Sequence, residues 1–278
     1  MTRVMEDSLL EEFRRHLLEE EKSAATIEKY LRDVRAFFSF IGKQEINKEL
    51  VIEYKKQLQE RGYAIRSINS MLASINCVLE FMGISECRVK NIRIQKRTYC
   101  SQETELTKEE YLRLIQVAGE KEQIKLVMET ICSTGIRVSE LRFFTIEGIK
   151  KNVITVSCKN KIRKIFVPNK LKHILLAYAK KRGIKNGPIF ITRGKKPLDR
   201  SYIWAQMKKL CKKAEVSPKK TFPHNLRKLF ARTFYKIEKD IAKLSDLLGH
   251  SSIETTRIYI MTTGEEHRKQ VELLGLVV

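Results

Sequence analysis

The 278-residue chain has little that breaks a backbone: 12 glycines and 5 prolines. Such sparse punctuation argues against many short strands and predicts long helices. No apolar run approaches the ~20 residues of a membrane span. Residues Met1 to Glu12 carry four acidic groups and lack the basic-then-apolar order of a secretory signal. The six cysteines, at 77, 87, 100, 132, 158 and 211, never form a C-x-x-C pair. They read as reduced thiols in a cytoplasmic protein rather than as a metal or redox motif. Neither G-x-x-x-x-G-K-[ST] nor G-x-G-x-x-G occurs, so nothing points to ATP or NAD. The carboxylate clusters that hold Mg²⁺ are also missing. No cofactor and no metal are expected.

Acidic residues are scarce in one half. Residues 1–100 hold 18 basic and 15 acidic groups, whereas residues 101–278 hold 37 and 18. Within 150–236 there are 26 basic groups against only Asp199 and Glu215, and the whole chain is +22. Such a surface repels itself unless it meets an anion. Nucleic acid is favoured over an anionic membrane, because no terminal basic helix with a bulky apolar face is present.

Apolar residues at helical spacing predict four helices in the first third, over 7–20, 23–41, 47–62 and 64–82. Ser23 and Asn47 are N-cap residues, and Gly42, Gly62 and Gly83 stand where helices end. Each helix is amphipathic, so the four should form a small bundle. Residues 85–105 break the pattern. They read as a basic inter-domain linker with Arg88, Lys90, Arg93, Lys96 and Arg97 as DNA-contact candidates, or else as an edge strand. Thr107 and Glu110 then form a capping-box pair, and a helix follows over 121–133. Residues 153–156 and 162–167 read as a hairpin with 188–191 as a third strand. A helix over 199–214 carries an apolar stripe of Trp204, Met207, Leu210, Cys211 and Ala214, read as core. Lys208, Lys209, Lys212 and Lys213 lie on its other face, against solvent or phosphates. Helices over 224–236, 240–248, 252–260 and 265–274 complete the chain. The expected class is mainly α with a small β-hairpin (α+β): a helical domain over 1–84, the linker over 85–105, and a second domain over 106–278 with a tail from 264.

Four segments carry more than a helical fold requires. In TGIRVSEL (134–141), Gly135 permits a turn, and Glu140 stands one helical turn from Arg137, placed to hold its guanidinium as a fork for phosphate oxygens. In His224-Asn225-Leu226-Arg227, the His and Arg share a helix face. In Leu248-Gly249-His250, the His follows a helix-ending Gly, and Tyr259 lies nine residues on. Lys159 falls between the hairpin strands, with Lys161 a close competitor. Two arginines, two histidines, a lysine and a tyrosine suit one phosphodiester. Arginines neutralise charge on the non-bridging oxygens, a tyrosine hydroxyl attacks, and a lysine protonates the leaving oxygen.

The order and spacing of TGIRVSEL, HNLR and LGHSSIETTRIY resemble the tyrosine recombinases, or phage-type integrases, across the whole chain. The resemblance implies an N-terminal core-binding (SAM-like) domain and a tyrosine-recombinase catalytic domain, closing as a C-shaped clamp on DNA. It implies that Arg137 and Arg227 bind the scissile phosphate, with Glu140 supporting Arg137. His224 accepts the proton of the nucleophile, Lys159 is the general acid, His250 bonds the phosphate and Tyr259 is the nucleophile. Two positions depart from the family pattern: Cys158-Lys159-Asn160 stands where G-K-G is common, and Lys228 where a His is frequent. The implied activity is site-specific strand exchange through a 3′-phosphotyrosyl link and a Holliday junction, without ATP. The implied partners are double-stranded DNA, a homotetramer on paired sites and accessory DNA-bending or directionality proteins. A nucleoid-associated location follows, and a tail docking on a neighbouring protomer or on its own domain. The alternatives are a catalytically inactive DNA-binding relative, and a type IB topoisomerase-like enzyme that cleaves without exchange.

Overall fold

The computed structural model describes residues 3–94, 102–158, 161–261, 268–269 and 272–275. The chain divides into two compact units, residues 1–96 and 97–278. Among the described residues, no helix is long and apolar enough to cross a membrane.

The first unit is a bundle of α1 (Arg3–Glu19), α2 (Ala24–Ile41), α3 (Lys48–Glu60) and α4 (Ile65–Phe81). The expected caps set the ends: Ser23 accepts from Thr26 N, Asn47 accepts from Leu50 N, and Gly42 closes α2 with a positive φ. Each side-chain cap is worth about 1 kcal/mol. The core interleaves Phe13 and Leu17 of α1, Leu31, Val34 and Phe37 of α2, Val51 of α3, and Leu72 and Ile75 of α4. Each such burial contributes roughly 1.5–3 kcal/mol. One carboxylate sits among them. Asp33, 3% exposed, is held by Lys29 at 2.7 Å, Arg32 at 3.0 Å and the Ser74 hydroxyl at 3.0 Å.

Residues just after α4 pack with this bundle. Cys87 and Val89 are buried in its core. Asn76 bonds both backbone groups of Val89, and Asn69 does the same for Ile92. Arg88, Lys90 and Arg93 point outward, with Arg88 3.2 Å from Glu80. Lys96 and Arg97 lie outside the described residues.

The second unit is built around α6 (Glu122–Thr134). Ile124, Leu126, Val127, Met128 and Ile131 bury most of its circumference. Packed on it are α5 (Lys108–Val117), α8 (Asn169–Lys181), α9 (Arg200–Ala214) and α10 (Pro223–Glu238). Thr107 and Glu110 form the expected capping box of α5. A 3₁₀ turn (Val138–Phe143) and the short α7 (Ile146–Lys150) lead into an antiparallel hairpin, β1 (Val153–Cys158) and β2 (Lys161–Phe166). Its register sets Val153 opposite Phe166 and Cys158 opposite Lys161. Ile154, Val156 and Ile165 face the core. The chain ends its described helices with α11 (Ile241–Leu248) and α12 (Ile253–Ile260).

Two expectations fail. Residues 188–191 are not a third strand, only isolated bridges at Pro188 and Ile191. Pro188 has no N–H for a ladder, and Ile189 N donates instead to Phe144 O while Ile189 and Phe190 plug the core. The stripe of α9 is also only partly core. Met207, Leu210, Cys211 and Ala214 are buried, but Trp204 is 49% exposed, because Ile203 fills the core position of that turn and Trp204 falls at the edge of the stripe, in line with Arg200 and Lys208. The tail expected from 264 lies mostly outside the described residues, and of its apolar residues only Leu273 and Leu274 are described, both exposed.

Candidate active site

The site grows from the C-terminal end of α11. The last carbonyls of a helix have no intrahelical donor and carry partial negative charge. Here three successive carbonyls each receive an arginine. Arg163 Nη1 donates to Leu247 O at 2.5 Å, Arg227 Nη2 to Leu248 O at 2.6 Å, and Arg137 Nη2 to Gly249 O at 3.3 Å. Gly249 ends the helix at φ 62°, and a Cβ there would lie 2.6 Å from Arg163 Cδ. Glycine is therefore required twice, for the turn and for the passage of Arg163. Gly135 has the same double need: φ is 65°, and a Cβ would sit 2.4 Å from the Phe230 ring.

One carboxylate orders two of these arginines. Glu140, 1% exposed, accepts from Arg137 N at 2.7 Å, Arg137 Nη1 at 3.1 Å and Arg163 Nη2 at 2.6 Å. The third guanidinium is different. Arg227 is 1% exposed, and its Nη1 donates to Gly135 O at 2.5 Å. Its Nε has no hydrogen-bond partner among the described residues. Three cationic groups thus share one anionic side chain. A buried, incompletely bonded charge is costly unless an anion completes the site.

The neighbouring bases report the same surplus. Burial, and then Arg227, Arg137 and Arg163, hold His250 down at about 4. His224 is lowered by burial first, then by Lys228, Arg227, Arg137 and Arg200. Arg227 itself falls to about 10 through burial and the adjacent Arg137. Both imidazoles are therefore neutral at pH 7. Arg227 Nη2 lies 2.9 Å from His250 Nε2, and a guanidinium only donates, so Nε2 is the acceptor. The proton then sits on Nδ1, 2.8 Å from the hydroxyl of the fully buried Thr256.

Tyr259 of α12 stands between the two imidazoles. Its ring meets His224 edge-on at 5.1 Å and His250 edge-on at 5.0 Å, with the Arg227 guanidinium carbon 6.0 Å from its centroid. Only 8% of the residue is exposed, its ring packing with Ala231, Leu244 and Leu248. A cavity of about 300 Å³ opens beside Arg137, His224 and Arg227. A neutral base and two arginines line the cavity, and the phenol packs against that base; together they are the parts of phosphoryl transfer to a tyrosine.

The sequence profile of the phage integrase family matches residues 104–266. The chain belongs to that family. Residues 10–82 match the phage integrase N-terminal SAM-like domain. Tyrosine recombinase XerA of Pyrococcus furiosus is 30% identical over 285 aligned positions, spanning 99% of this chain and 96% of the relative. Tyrosine recombinase XerD of Halalkalibacterium halodurans is 28% identical over 263 positions, 86% of this chain and 87% of the relative. The crystal structure of XerA recombinase aligns with a TM-score of 0.54 at 25% identity, over 96% of this chain and 98% of that one. A lambda integrase tetramer bound to a Holliday junction shares the fold, with a TM-score of 0.73 at 20% identity over 91% and 76%.

The structure brings together Arg137, Glu140, His224, Arg227, His250 and Tyr259. Lys159 lies outside the described residues. Lys161 opens β2 two residues before Arg163. Of the α9 lysines, Lys209, Lys212 and Lys213 are exposed, whereas Lys208 donates to Pro218 O. Lys228 turns to Glu105 at 2.7 Å. Sequence reasoning missed Arg163, Thr256, Arg200 and the exposure of Trp204. Strand alternation with Ile165 marks Arg163 as inward-facing, and that was the available signal.

Proposed function

We propose that this integrase-family chain is a site-specific DNA recombinase that breaks and rejoins strands through Tyr259. The observation that carries the reading is the unpartnered Nε of the buried Arg227, beside a tyrosine flanked by two neutral histidines. A phosphodiester entering this cavity supplies the missing acceptor. Arg137 and Arg227 bind its non-bridging oxygens, with Glu140 and Arg163 holding Arg137 in place. The Tyr259 oxygen forms a bond to phosphorus and gives its proton to His224. The bond from phosphorus to the 5′ oxygen breaks, and that oxygen takes a proton from the hairpin lysine, Lys159 or its competitor Lys161. With the phosphate bound, its charge raises the proton affinity of His250, and the imidazole, protonated on Nε2, donates to a phosphoryl oxygen. A 5′ hydroxyl from a partner duplex reverses each step, so the energy of the broken bond is kept in the phosphotyrosyl link.

The wider assembly follows the same reading. The bundle over 1–84 and the catalytic domain over 106–278 clamp the duplex, joined by the basic segment 85–105, with the lysines of α9 along its phosphates. Four copies act on two sites, as in the lambda integrase tetramer on a Holliday junction. The exposed Leu273 and Leu274 belong to a tail that docks on a neighbouring protomer. The protein works at the nucleoid with accessory DNA-bending proteins.

Recovering DNA covalently bound to the protein in cells gives the target site. A nicked duplex of that site should then yield a denaturation-resistant adduct with the wild type and none with Tyr259→Phe. An adduct that persists in Tyr259→Phe refutes the nucleophile. No adduct with the wild type favours an inactive DNA-binding relative. Supercoil relaxation without strand exchange favours a topoisomerase. A 5′-bridging sulfur, whose leaving group needs no acid, rescues whichever of Lys159→Ala and Lys161→Ala removes the true acid.

A further inference from the structure

The active-site cavity has an apolar wall that phosphate chemistry does not need. Arg137, His224 and Arg227 are the cavity's phosphate-binding part. Ile136, Val138, Phe222 and Pro223 complete its lining with Arg200 and Trp204. Its volume, about 300 Å³, is the size at which ligand pockets begin and exceeds what one phosphate group occupies. Trp204 is half-exposed there. Large exposed apolar groups inside a cavity mark a contact surface.

Arg200, Trp204 and Lys208 stand at i, i+4 and i+8 on α9, so they form one stripe. The Lys208 ammonium lies 5.1 Å from the centroid of the Trp204 ring, while its donation to Pro218 O anchors it. That contact steadies the indole from the far side of the stripe. On the near side, the charge of Arg200 helps depress the basicity of His224, so Arg200 stands within electrostatic reach of the catalytic base. The indole thus has an arginine at one end and the phosphate-binding cluster beside it. A DNA strand presents the same alternation: a phosphate, an apolar sugar and base, and the next phosphate.

We propose that Trp204 and Arg200 hold the nucleotide next to the scissile phosphate, the indole packing on its deoxyribose and base and Arg200 taking the adjoining backbone phosphate. The assignment rests on the recombinase reading of the same cavity. It adds a positioning surface that fixes where the strand lies, and so which phosphate meets Tyr259. Packing of the indole on a deoxyribose tolerates any sequence, because every nucleotide carries the same sugar. The wall therefore sets the position of the strand rather than its sequence.

Trp204 is the only tryptophan in the chain. Indole fluorescence of the full-length protein reports this wall alone. Titrating the Tyr259→Phe protein with a duplex of the recovered target site should quench and shift that emission, saturating together with the anisotropy of a labelled copy of the duplex. Sulfate, which offers charge without a sugar or base, should leave most of the change unmade. Trp204→Ala should weaken binding and slow adduct formation by about 10-fold, the scale of one lost stacking contact, with Trp204→Phe recovering most of both. Arg200→Gln should lower the slope of log Kd against log salt by about one ion.

Unmoved indole emission during saturable DNA binding overturns the proposal, as does a full response to sulfate alone. The emission measurement needs no change at Trp204, so a misfolded Trp204→Ala cannot obscure it. A wild type that forms no adduct defeats the recombinase reading. An adduct formed with an unmoved indole defeats the wall alone.

Discussion

Each unit of this protein buries carboxylate among cations: Asp33 in the bundle, and Glu140 and the Lys228- and Arg232-paired Glu105 in the catalytic unit. The clusters around Asp33 and Glu140 differ in balance. In the bundle, Asp33 meets Lys29, Arg32 and Ser74, and Arg32 keeps 70% of its side chain in water. In the catalytic unit, Glu140 meets Arg137 and Arg163, and a third guanidinium, Arg227, is sealed beside them with a free Nε. The first cluster is complete as it stands. The second is short of one anion, and its two histidines are pushed toward neutrality by burial first and then by the surplus charge. Burial of charge alone does not separate a structural cluster from a functional one. A surplus charge sealed away from water, as Arg227 is and Arg32 is not, does.

Removing the surplus charge should have the largest effect. Arg227→Gln leaves Glu140 with both its partners and deletes only the guanidinium that waits for phosphate. Adduct formation on the nicked target should fall by roughly 10³, the scale of losing an oxyanion-type donor in a dry site. Binding to unrelated DNA, governed by the many exposed lysines, should hardly change. Similar losses in cleavage and in non-specific binding would erase the distinction drawn between the two clusters.

Neutralising each carboxylate tests the same contrast on stability. Asp33→Asn should cost about 2 kcal/mol, less than a fully buried pair because Lys29 and Arg32 touch water, and the folded fraction should cleave normally. Glu140→Gln should cost roughly 3 kcal/mol and also lower the cleavage rate, since Arg137 and Arg163 lose the group that aims them. Urea melts paired with adduct assays separate the outcomes. Normal cleavage by the folded Glu140→Gln protein would make Glu140 a structural residue like Asp33.

Much of this was legible locally. Helix ends followed from Ser23, Asn47, Gly42 and the Thr107–Glu110 pair, because caps act within four residues. Arg137 with Glu140, and His224 with Arg227, are i, i+3 pairs visible in a linear reading. Arg163 was not legible as a site residue. It reaches Glu140 across 23 residues and Leu247 across 84, and nothing short-range encodes those partners. Trp204 was misassigned because it borders the apolar stripe: Ile203 takes the core position of that turn, and Trp204 lines up with Arg200 and Lys208. The third strand was misread because buried Ile189 and Phe190 have strand composition whether they pair or merely plug.

The smallest expected effect is on pH. His250 holds its proton at about 4 and His224 below the ordinary 6.5, chiefly through burial and then through the arginines. Each binds protons more weakly folded than unfolded. Their neutral forms therefore contribute stability that is fully present above pH 6.5 and is lost as the pH falls toward the folded values. Between pH 6.5 and about 5, still above most carboxylate titrations, the DNA-free protein should lose a few degrees of Tm. His250→Gln should flatten part of that slope. Binding of the target duplex should flatten it too, because a phosphate beside Arg227 offsets the surplus and lifts both histidines back toward 6.5. A slope unchanged by either treatment would mean that the leftover charge is screened, and that the Glu140 cluster is as complete as the one around Asp33.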